Sequence, residues 1–320
     1  MKNILITGAA GFIGTNYVKK IAVKEKDYHF VLLDALTYAG HYENIKVDVE
    51  SNSHLEFVHG NIVDEKLMDE LFKKYQFSGV INYAAESHVD RSITNPQVFV
   101  QTNVNGTLNL LHHSLKAFEN NPNFRYLQVS TDEVYGSLTE EDPAFTENHP
   151  LAANSPYSAS KAAADLLVRS YYETYQLPTL ITRCSNNYGP YQMPEKLIPL
   201  MITKARADQK LPVYGNGKNI RDWIYVDDHN RGVWQTFLQG RIGEIYNFGG
   251  QAEKRNLEIV ELILAQLNKP KELIEFVTDR KGHDWRYAMN IEKVHQEFNW
   301  KPQVSFDQGM QLTLDWYLQN

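Results

Sequence analysis

Two short runs of the sequence combine the side chains that an oxidation and an elimination would need. Thr131, Asp132 and Glu133 supply a hydroxyl and two adjacent carboxyl groups. Tyr157 and Lys161 stand four positions apart in a predicted helix, so both side chains should lie on one face. An ammonium beside a phenol lowers the pKa of the phenol, which can then accept an alcohol's proton while hydride leaves the carbon. A dehydrogenase needs only the hydroxyl, the phenol and the ammonium, so the carboxyl groups indicate a second chemical step.

Loss of water is the second step that fits this carboxyl pair. An elimination needs one group that removes a C–H proton and another that protonates the departing hydroxyl. Two neighbouring carboxyl groups tend to raise the pKa of one of them, which suits one as acid and the other as base. A solvated turn before Val134 is the alternative interpretation of the same residues, and their adjacency alone does not decide between the two.

A glycine-rich turn follows the first predicted strand and opens a helix. Gly8 permits a tight turn, Gly11 lets a diphosphate approach the backbone, and Gly14 lets helix and strand pack closely. Asp34 ends the second predicted strand, where a carboxylate should bind the ribose hydroxyls of adenosine and repel a 2′-phosphate. The sequence therefore predicts NAD rather than NADP. The other residues that we expect around this cofactor are Phe12, Ile13, Asn61, Ile62, Ala84, Ala85 and Thr102.

Short apolar runs alternate with amphipathic stretches in the first half of the chain. The predicted strands cover residues 4–7, 30–34, 55–59, 79–83, 126–131 and 179–183. Continuous apolar strands separated by helices indicate a parallel sheet covered on both faces, and the right-handed crossover rule makes it doubly wound. The predicted helices cover residues 65–74, 98–116, 226–238, 256–267 and 306–318.

The pattern changes after about residue 185, where residues 185–194 and 214–218 predict loops rich in Asn, Gly and Pro. We predict an NAD-binding Rossmann domain over residues 1–184, with a return segment near residues 223–250. A smaller mixed α/β domain over residues 185–320 should bind the substrate. The ligand cleft should lie between the two, at the carboxyl ends of the strands.

The overall composition argues against several classes of protein. The chain has 320 residues, a net charge of −7 and no block of Lys and Arg, which disfavours general nucleic-acid binding. No stretch approaches the ~20 apolar residues of a membrane-spanning helix, and the apolar run at the N-terminus is too short for a signal peptide. A single cysteine excludes a disulfide framework, so we expect a cytoplasmic protein and interpret Cys184 as a buried bystander.

In order along the chain, these motifs resemble the extended short-chain dehydrogenase/reductase family and, within it, the dTDP-glucose 4,6-dehydratase family. The matching runs span nearly the whole chain and cover residues 8–14, 84–92, 130–136, 157–161, 184–192, 219–223, 225–229 and 282–284. Two residues depart from the family pattern. Asn61 stands where an Asp is usual, and Lys281 stands where a Pro is usual.

The resemblance implies a lyase that removes water from dTDP-glucose through transient oxidation at C4. Thr131 would orient the C4 hydroxyl, and Tyr157 would take its proton as hydride passes to NAD. Glu133 would then remove the C5 hydrogen and Asp132 would protonate the departing C6 hydroxyl, before hydride returns to C6. The resemblance also implies a homodimer that pairs through helices near residues 103–117 and 158–175.

The resemblance assigns a further group of residues to the nucleotide-sugar substrate. Arg221 and Arg286 are the predicted diphosphate ligands, because a guanidinium fork matches phosphate oxygens. Asn187 is expected on the nicotinamide side of the site. The remaining predicted substrate contacts, besides the loop at residues 279–283, are Ser87, Asn186, Lys196, Leu197, Pro212, Tyr214 and Asn256.

Three other functions remain open on the sequence. A nucleotide-sugar 4-epimerase of the same fold would keep the glycine-rich turn, the phenol and the ammonium, but it would not need Asp132 and Glu133. A dehydratase acting on another sugar nucleotide would share the chemistry; one that acts on GDP-mannose usually favours NADP, against which Asp34 argues. A non-catalytic dinucleotide-sensing regulator could lose Tyr157 or Lys161 without penalty, and both are present.

Overall fold

A computed structural model describes all of residues 1–320. Seven of its twelve strands form one parallel sheet, in the order β10-β6-β5-β4-β1-β2-β3. The first three strands of the sequence are placed side by side from β1 outward to β3. The chain then crosses back, and β4 pairs with the other side of β1. This reversal opens a crevice at the carboxyl ends of β1 and β4, and the predicted doubly wound α/β class is confirmed. The strands are β1 (Lys2–Thr7), β2 (Tyr28–Asp34), β3 (Leu55–His59), β4 (Gly79–Asn82), β5 (Arg125–Thr131), β6 (Thr179–Cys184), β7 (Asn186–Tyr188), β8 (Leu211–Tyr214), β9 (Ile220–Tyr225), β10 (Ile245–Phe248), β11 (Glu253–Arg255) and β12 (Ile274–Val277).

The five helices predicted over defined ranges form within a few residues of those ranges, and the structure contains further helices that were not predicted, among them residues 46–51 and 197–206. One π-helical segment, Val18–Ala22, continues α1, and a second, Val100–Gly106, joins α5 to α6. No helix in the chain is both long enough and apolar enough to span a membrane. The α-helices are α1 (Phe12–Tyr17), α2 (Lys46–Ser51), α3 (Glu65–Tyr75), α4 (Val89–Thr94), α5 (Pro96–Phe99), α6 (Thr107–Asn120), α7 (Pro156–Tyr175), α8 (Leu197–Arg206), α9 (Val226–Gln239), α10 (Asn256–Gln266), α11 (Glu292–Phe298) and α12 (Phe306–Gln319).

Apolar side chains cover both faces of the large sheet. On one face, Tyr17 of α1 and Trp234 of α9 pack against the sheet, and Trp300 after α11 closes the same cluster. On the other face, Leu110 of α6 and Val168 of α7 fill the space above the strands. These two cores hold the strand ends in a fixed arrangement, which is what positions the site.

A smaller unit is built from the remaining strands and from α8, α10 and α12. Its sheets have the strand orders β11-β9-β7 and β12-β8, and its core contains Ile202, Ile263 and Met310. The prediction of an uninterrupted loop at residues 185–194 is wrong, because β7 forms there by pairing with β9. The polar sequence Asn-Asn-Tyr carries little strand propensity, so its strand depends on this tertiary pairing.

Candidate active site

One cavity opens at the carboxyl ends of the central strands, and most of the predicted site residues line it. Six of the predicted residues are not on its wall: Leu197, Pro212, Tyr214, Arg221, Asn256 and Arg286. The predicted residues that line the cavity are Gly8, Gly11, Phe12, Ile13, Gly14, Asp34, Asn61, Ile62, Ala84, Ala85, Ser87, Thr102, Thr131, Asp132, Glu133, Tyr157, Lys161, Asn186, Asn187 and Lys196.

The glycine-rich turn forms a cradle between β1 and α1. Gly8 has a φ of 64°, and a Cβ atom there would lie 2.7 Å from the backbone nitrogen of Ala84. A Cβ atom on Gly14 would lie 2.1 Å from the carbonyl oxygen of Gly8, so only glycine lets α1 approach so closely. A Cβ atom on Gly11 would instead make ordinary van der Waals contact, the nearest atom being the carbonyl oxygen of Gly8 at 3.5 Å. Without a side chain there the cradle stays open, and its shape fits a diphosphate at the start of a helix.

Asp34 lies at the end of β2, on the wall of the same cavity. Its carboxylate accepts hydrogen bonds from the backbone N–H groups of Ala10 and Leu36, at 2.9 and 2.8 Å. Burial raises the pKa of Asp34, and these N–H groups oppose that shift. The side-chain oxygen of the nearby Asn61 accepts a hydrogen bond from the N–H of Val63 at 3.1 Å. An Asp, which is usual at this position, would offer an acceptor oxygen in the same way. The cradle and this carboxylate together fit the diphosphate and ribose of NAD.

Several buried oxygens on the cavity wall have no hydrogen-bond partner within the protein. Buried polar groups are normally paired, so unpaired ones that face a cavity indicate a polar ligand. They are Ser130 Oγ, Asp132 Oδ2, Ser185 Oγ, Asn186 Oδ1, Asn187 Oδ1, Gln192 Oε1 and Glu195 Oε1.

The hydroxyl and carboxyl residues follow one another where β5 ends. Thr131 Oγ1 accepts from the N–H of Glu133 at 3.3 Å and caps a short 3₁₀ turn, and it donates to Asp132 Oδ1 at 3.2 Å. Asp132 is only 2% exposed, so the alternative of a solvated turn is wrong. Burial raises the pKa of both carboxyl groups, and the charge of Glu133 raises that of Asp132 further.

Cations surround the second carboxyl group more than the first. Lys196, Arg221 and Arg280 all oppose the rise in the pKa of Glu133. Only Arg221 does so for Asp132, whose pKa is raised well above its usual value. The two neighbours therefore differ in their preferred charge, with Asp132 the more readily protonated.

Helix α7 carries the phenol and the ammonium into the cavity. Ser155 caps the helix by accepting from the N–H of Ser158 at 3.1 Å, which places Tyr157 in the first turn. Lys161 is 4% exposed, and its Nζ donates to the carbonyl oxygen of Val129 at 2.8 Å.

The predicted lowering of the phenol's pKa is wrong for this arrangement. Burial raises the pKa of Tyr157 well above its usual value, and the carboxylates of Glu133 and Asp132 raise it further. The ammonium of Lys161 is directed at the Val129 carbonyl, so the carboxylates dominate the charge around the phenol. Burial also lowers the pKa of Lys161 itself, which Asp165 opposes.

The side chain of Asn103 links the loop after β4 to helix α7. Its side-chain oxygen accepts from the N–H of Glu86 at 2.8 Å, and its amide donates to the carbonyl oxygen of Glu86 at 3.0 Å. The same amide donates to Ser160 Oγ at 2.8 Å. From the smaller unit, Lys196 Nζ donates to the carbonyl oxygen of Ser87 at 2.8 Å and so crosses the cleft.

Sequence reasoning missed several residues on the cavity wall. Cys184 is buried as expected, and burial raises the pKa of its thiol to about 12, but the thiol also faces the cavity. Tyr38 and Glu195 line the cavity as well, and both contact Arg91, at 3.7 Å from the Tyr38 ring centre and 3.3 Å from the Glu195 carboxylate. No spacing rule joins these residues, because they come from the end of β6, the loop after β2, helix α4 and the loop before α8.

The two predicted diphosphate ligands bind other protein groups in this structure. Arg286 makes a two-point ion pair with Glu253, at 2.6 and 2.8 Å, and also donates to backbone carbonyl oxygens. Arg221 donates to the carbonyl oxygen of Asp284 at 2.9 Å and stacks over Tyr287. Arg280, from the predicted substrate loop, pairs with Asp90.

The other four predicted substrate residues lie in the smaller unit, away from the wall of this cavity. Leu197 begins α8 directly after Lys196, and Asn256 begins α10. Pro212 and Tyr214 lie on β8, and the Tyr214 hydroxyl donates to Asp90 at 3.3 Å.

Comparison with known proteins gives consistent matches over the full chain. The family model described as GDP-mannose 4,6 dehydratase matches residues 5–313. A dTDP-glucose 4,6-dehydratase of Xanthomonas campestris pv. campestris (strain B100) is 50% identical, over 100% of this chain and 94% of that protein. The crystal structure of a Bacillus anthracis dTDP-glucose 4,6-dehydratase in complex with NAD is 48% identical, with a TM-score of 0.90 over 100% of this chain and 97% of that one.

A second solved relative carries two ligands. The dTDP-glucose 4,6-dehydratase of Streptomyces venezuelae, with NAD and TYD bound, is 44% identical and has a TM-score of 0.94, over 99% of this chain and 97% of that one. Both the sequence and the fold agree with these proteins from end to end. The chain therefore belongs to the GDP-mannose 4,6 dehydratase family, in the branch that contains these dTDP-glucose 4,6-dehydratases.

Proposed function

We propose that this chain is an NAD-dependent lyase that removes water from dTDP-glucose and yields dTDP-4-keto-6-deoxyglucose. The observation that carries the proposal is the adjacent pair of buried Asp132 and half-buried Glu133, on the same cavity wall as Tyr157 and the glycine cradle. A 4-epimerase has no use for two carboxyl groups there. The names of the relatives and the NAD in their structures support the same reaction.

The oxidation is assigned to the hydroxyl, the phenol and the ammonium. When bound, NAD accepts a hydride from C4 of the sugar and later returns one to C6. Thr131 orients the C4 hydroxyl, and Tyr157 takes its proton as a general base. Tyr157 accepts this proton although burial and the two carboxylates raise its pKa, so the assignment depends on its place with Thr131 and Lys161 on the cavity wall.

The elimination is assigned to the two carboxyl groups according to their surroundings. Glu133 faces three cations that favour its ionised form, so it acts as the base that removes the C5 hydrogen. Asp132 has the more strongly raised pKa, so it is the acid that protonates the departing C6 hydroxyl. Glu133 then returns its proton to C5.

The cavity discriminates between the two nicotinamide dinucleotides through one carboxylate. Asp34 already accepts two backbone hydrogen bonds, which hold it at the place where ribose hydroxyls would donate. A 2′-phosphate at this place would meet a buried negative charge. We therefore propose NAD as the cofactor, bound mainly by residues 1–184 and by a return segment near residues 223–250.

The nucleotide sugar is assigned to residues 185–320. Lys196, Arg221 and Arg280 bring positive charge to the part of the site around Glu133, which suits an anionic diphosphate. Arg286 stays a predicted ligand, although its guanidinium would have to leave Glu253 to bind phosphate. The base is assigned to the region of Leu197, Pro212, Tyr214 and Asn256.

We also propose a homodimer and a cytoplasmic location. Four apolar side chains on α5 to α7 are 40–54% exposed, as expected for helices that pair with a second copy: Val98, Val100, Leu108 and Leu166. The single thiol, which is buried and unpaired, suits a reducing compartment.

An activity assay across sugar nucleotides tests the proposed reaction. The purified protein is incubated with dTDP-glucose, UDP-glucose or GDP-mannose, and the 4-keto-6-deoxy product is measured by its ultraviolet absorbance in alkali. We expect product from dTDP-glucose, and mass spectrometry should show the loss of one water. Conversion of dTDP-glucose to its 4-epimer, or product only from another sugar nucleotide, would overturn the proposal.

A further inference from the structure

The ammonium of Lys161 is buried and makes a single hydrogen bond within the protein. The residue is 4% exposed, and its Nζ donates to the carbonyl oxygen of Val129 at 2.8 Å. An ammonium has three donors, so one neutral acceptor replaces only part of the hydration that burial removes. Burial therefore disfavours the charged form, and a nearby negative charge is needed to offset it.

Asp165 lies one helical turn beyond Lys161 on α7. Residues four apart lie on the same face of a helix, with their Cβ atoms about 5–6 Å from each other. Asp165 is 1% exposed, and its Oδ2 accepts from Arg183 Nε at 2.9 Å. Its other oxygen, Oδ1, is buried without a hydrogen-bond partner. This part of the negative charge stays unpaired, in surroundings where charges interact more strongly than in water.

Arg183 fixes the Asp165 carboxylate against the sheet. It lies on β6 opposite Ser130 of β5, beside the strand position that receives the ammonium. Its guanidinium also stacks over the ring of Tyr135 at 4.7 Å, which restricts its orientation. Helix α7 is thus joined to two neighbouring strands by charged side chains, through Lys161 to β5 and through Asp165 to β6.

We propose that Asp165 is a positioning residue whose carboxylate, fixed by Arg183, keeps Lys161 a cation inside the site, a role that rests on the proposed function. Asp165 is not on the cavity wall, so it acts through Lys161 and contacts neither cofactor nor substrate. In agreement with this role, the charge of Asp165 opposes the fall that burial causes in the pKa of Lys161.

The other ionisable groups near the ammonium come from three elements. Cys184 ends β6, and burial raises the pKa of its thiol to about 12, so the thiol keeps its proton over most of the alkaline range. Tyr157, one turn earlier on α7, also has a raised pKa. Asp132 and Glu133, in the turn after β5, line the same cavity. None of these side chains is altered in a variant of Asp165.

Trace labelling with acetic anhydride tests the proposal, because only the neutral amine reacts. The labelling of Lys161 is followed by peptide mass spectrometry over a series of alkaline pH values. For Asp165→Asn we expect the midpoint of labelling to move by about one pH unit or more toward lower pH. Asp165→Glu keeps the charge and should keep the midpoint of the unaltered protein. The alkaline fall in turnover of dTDP-glucose should move with the labelling.

Arg183→Lys is the matched control for a purely structural role of the ion pair. It keeps both charges but loses the Nε contact, so it should lower stability without moving the midpoint. An unchanged midpoint in Asp165→Asn, or an equal shift in Arg183→Lys, would overturn the proposal. If Asp165→Asn fails to fold, its combination with Arg183→Gln takes its place under the same expectation. The labelling needs no substrate, so a lack of product from dTDP-glucose with the unaltered protein would defeat the proposed function alone.

Discussion

Neighbouring residues of the same type acquire different chemistry here through their surroundings. Asp132 and Glu133 share a peptide bond and burial raises the pKa of both, yet three cations oppose the rise for Glu133 and only one opposes it for Asp132. Burial supplies the common upward shift, and the cations decide which carboxyl group ionises first. The assignment of base and acid therefore depends on Lys196 and Arg280, which come from the smaller unit.

The first prediction concerns Glu133→Gln, which removes the proposed base and keeps the side-chain shape. Oxidation at C4 does not need this carboxylate, so the enzyme-bound NAD should still become reduced after substrate is added. Elimination should fall by about 100-fold or more, since general base catalysis contributes that much. Stopped-flow absorbance of the reduced nicotinamide, with product measured in parallel, checks both expectations. Normal product formation would show that Glu133 is not the base.

The second prediction concerns Asp132→Asn, which removes the proposed acid. The variant should eliminate water slowly, because the C6 hydroxyl is a poor leaving group without a proton. A 6-fluoro analogue needs less protonation to leave, so the variant should process it with a much smaller loss relative to the unaltered protein. Initial rates with both substrates check this. An equal loss with both substrates would contradict the role of Asp132.

At the scale of elements, one amide links the loop after β4 to helix α7. The third prediction is that Asn103→Ala lowers the free energy of unfolding by about 2–4 kcal/mol, because three hydrogen bonds of a buried side chain are lost. Asn105→Ala is the matched control on the same helical segment. Its side chain is exposed and binds only Gln101, so the change should stay within about 0.5 kcal/mol. Urea unfolding measures both, and equal effects would contradict the link.

The fourth prediction concerns Asp222 on β9, whose carboxyl group is 1% exposed. Burial raises its pKa from 3.8 to about 6, so the folded state binds this proton more tightly than the unfolded state. Its contribution to stability therefore falls as pH rises through this window, and the penalty is complete above it.

Asp222→Asn removes that ionisation. The stability of the variant relative to the unaltered protein should therefore grow by about 2 kcal/mol between about pH 4.5 and pH 7.5. Thermal or urea unfolding at the two pH values measures it, with Glu50→Gln as an exposed control. A difference that does not depend on pH would contradict the raised pKa.

Local pattern predicted the strands of the large sheet well, but not the contacts of the site. Residues 55–59 form a strand with the predicted bounds, because an apolar run between helices has few alternatives. Strand β7 was missed, since its polar residues form a strand only by pairing with β9. The pKa of Tyr157 was predicted in the wrong direction, because the spacing of residues 157 and 161 reveals neither the burial of the phenol nor that Val129 receives the ammonium.

At the scale of the whole molecule, the exposed apolar residues of α5 to α7 predict pairing with a second copy. The fifth prediction is that light scattering of the unaltered protein gives twice the chain mass of 36.9 kDa. Leu166→Lys, at a side chain that is 54% exposed on α7, should shift the mass toward one chain. Leu312→Lys, at a side chain that is 49% exposed on α12, should leave it unchanged. Loss of pairing in both variants, or in neither, would contradict this interface.

The large sheet takes its last strand, β10, from far along the chain, and Trp300 then packs against Phe248 of that strand at 4.8 Å between ring centres. During synthesis, β6 is therefore complete long before its outer neighbour has been made. At ribosomal rates the delay from residue 184 to residue 248, where β10 ends, is on the order of ten seconds. For that time the nascent chain exposes the free edge of β6, which is a surface that chaperones bind and that other strands can pair with. The large sheet can therefore be completed only after the strand β10 from the second half of the chain has been synthesised.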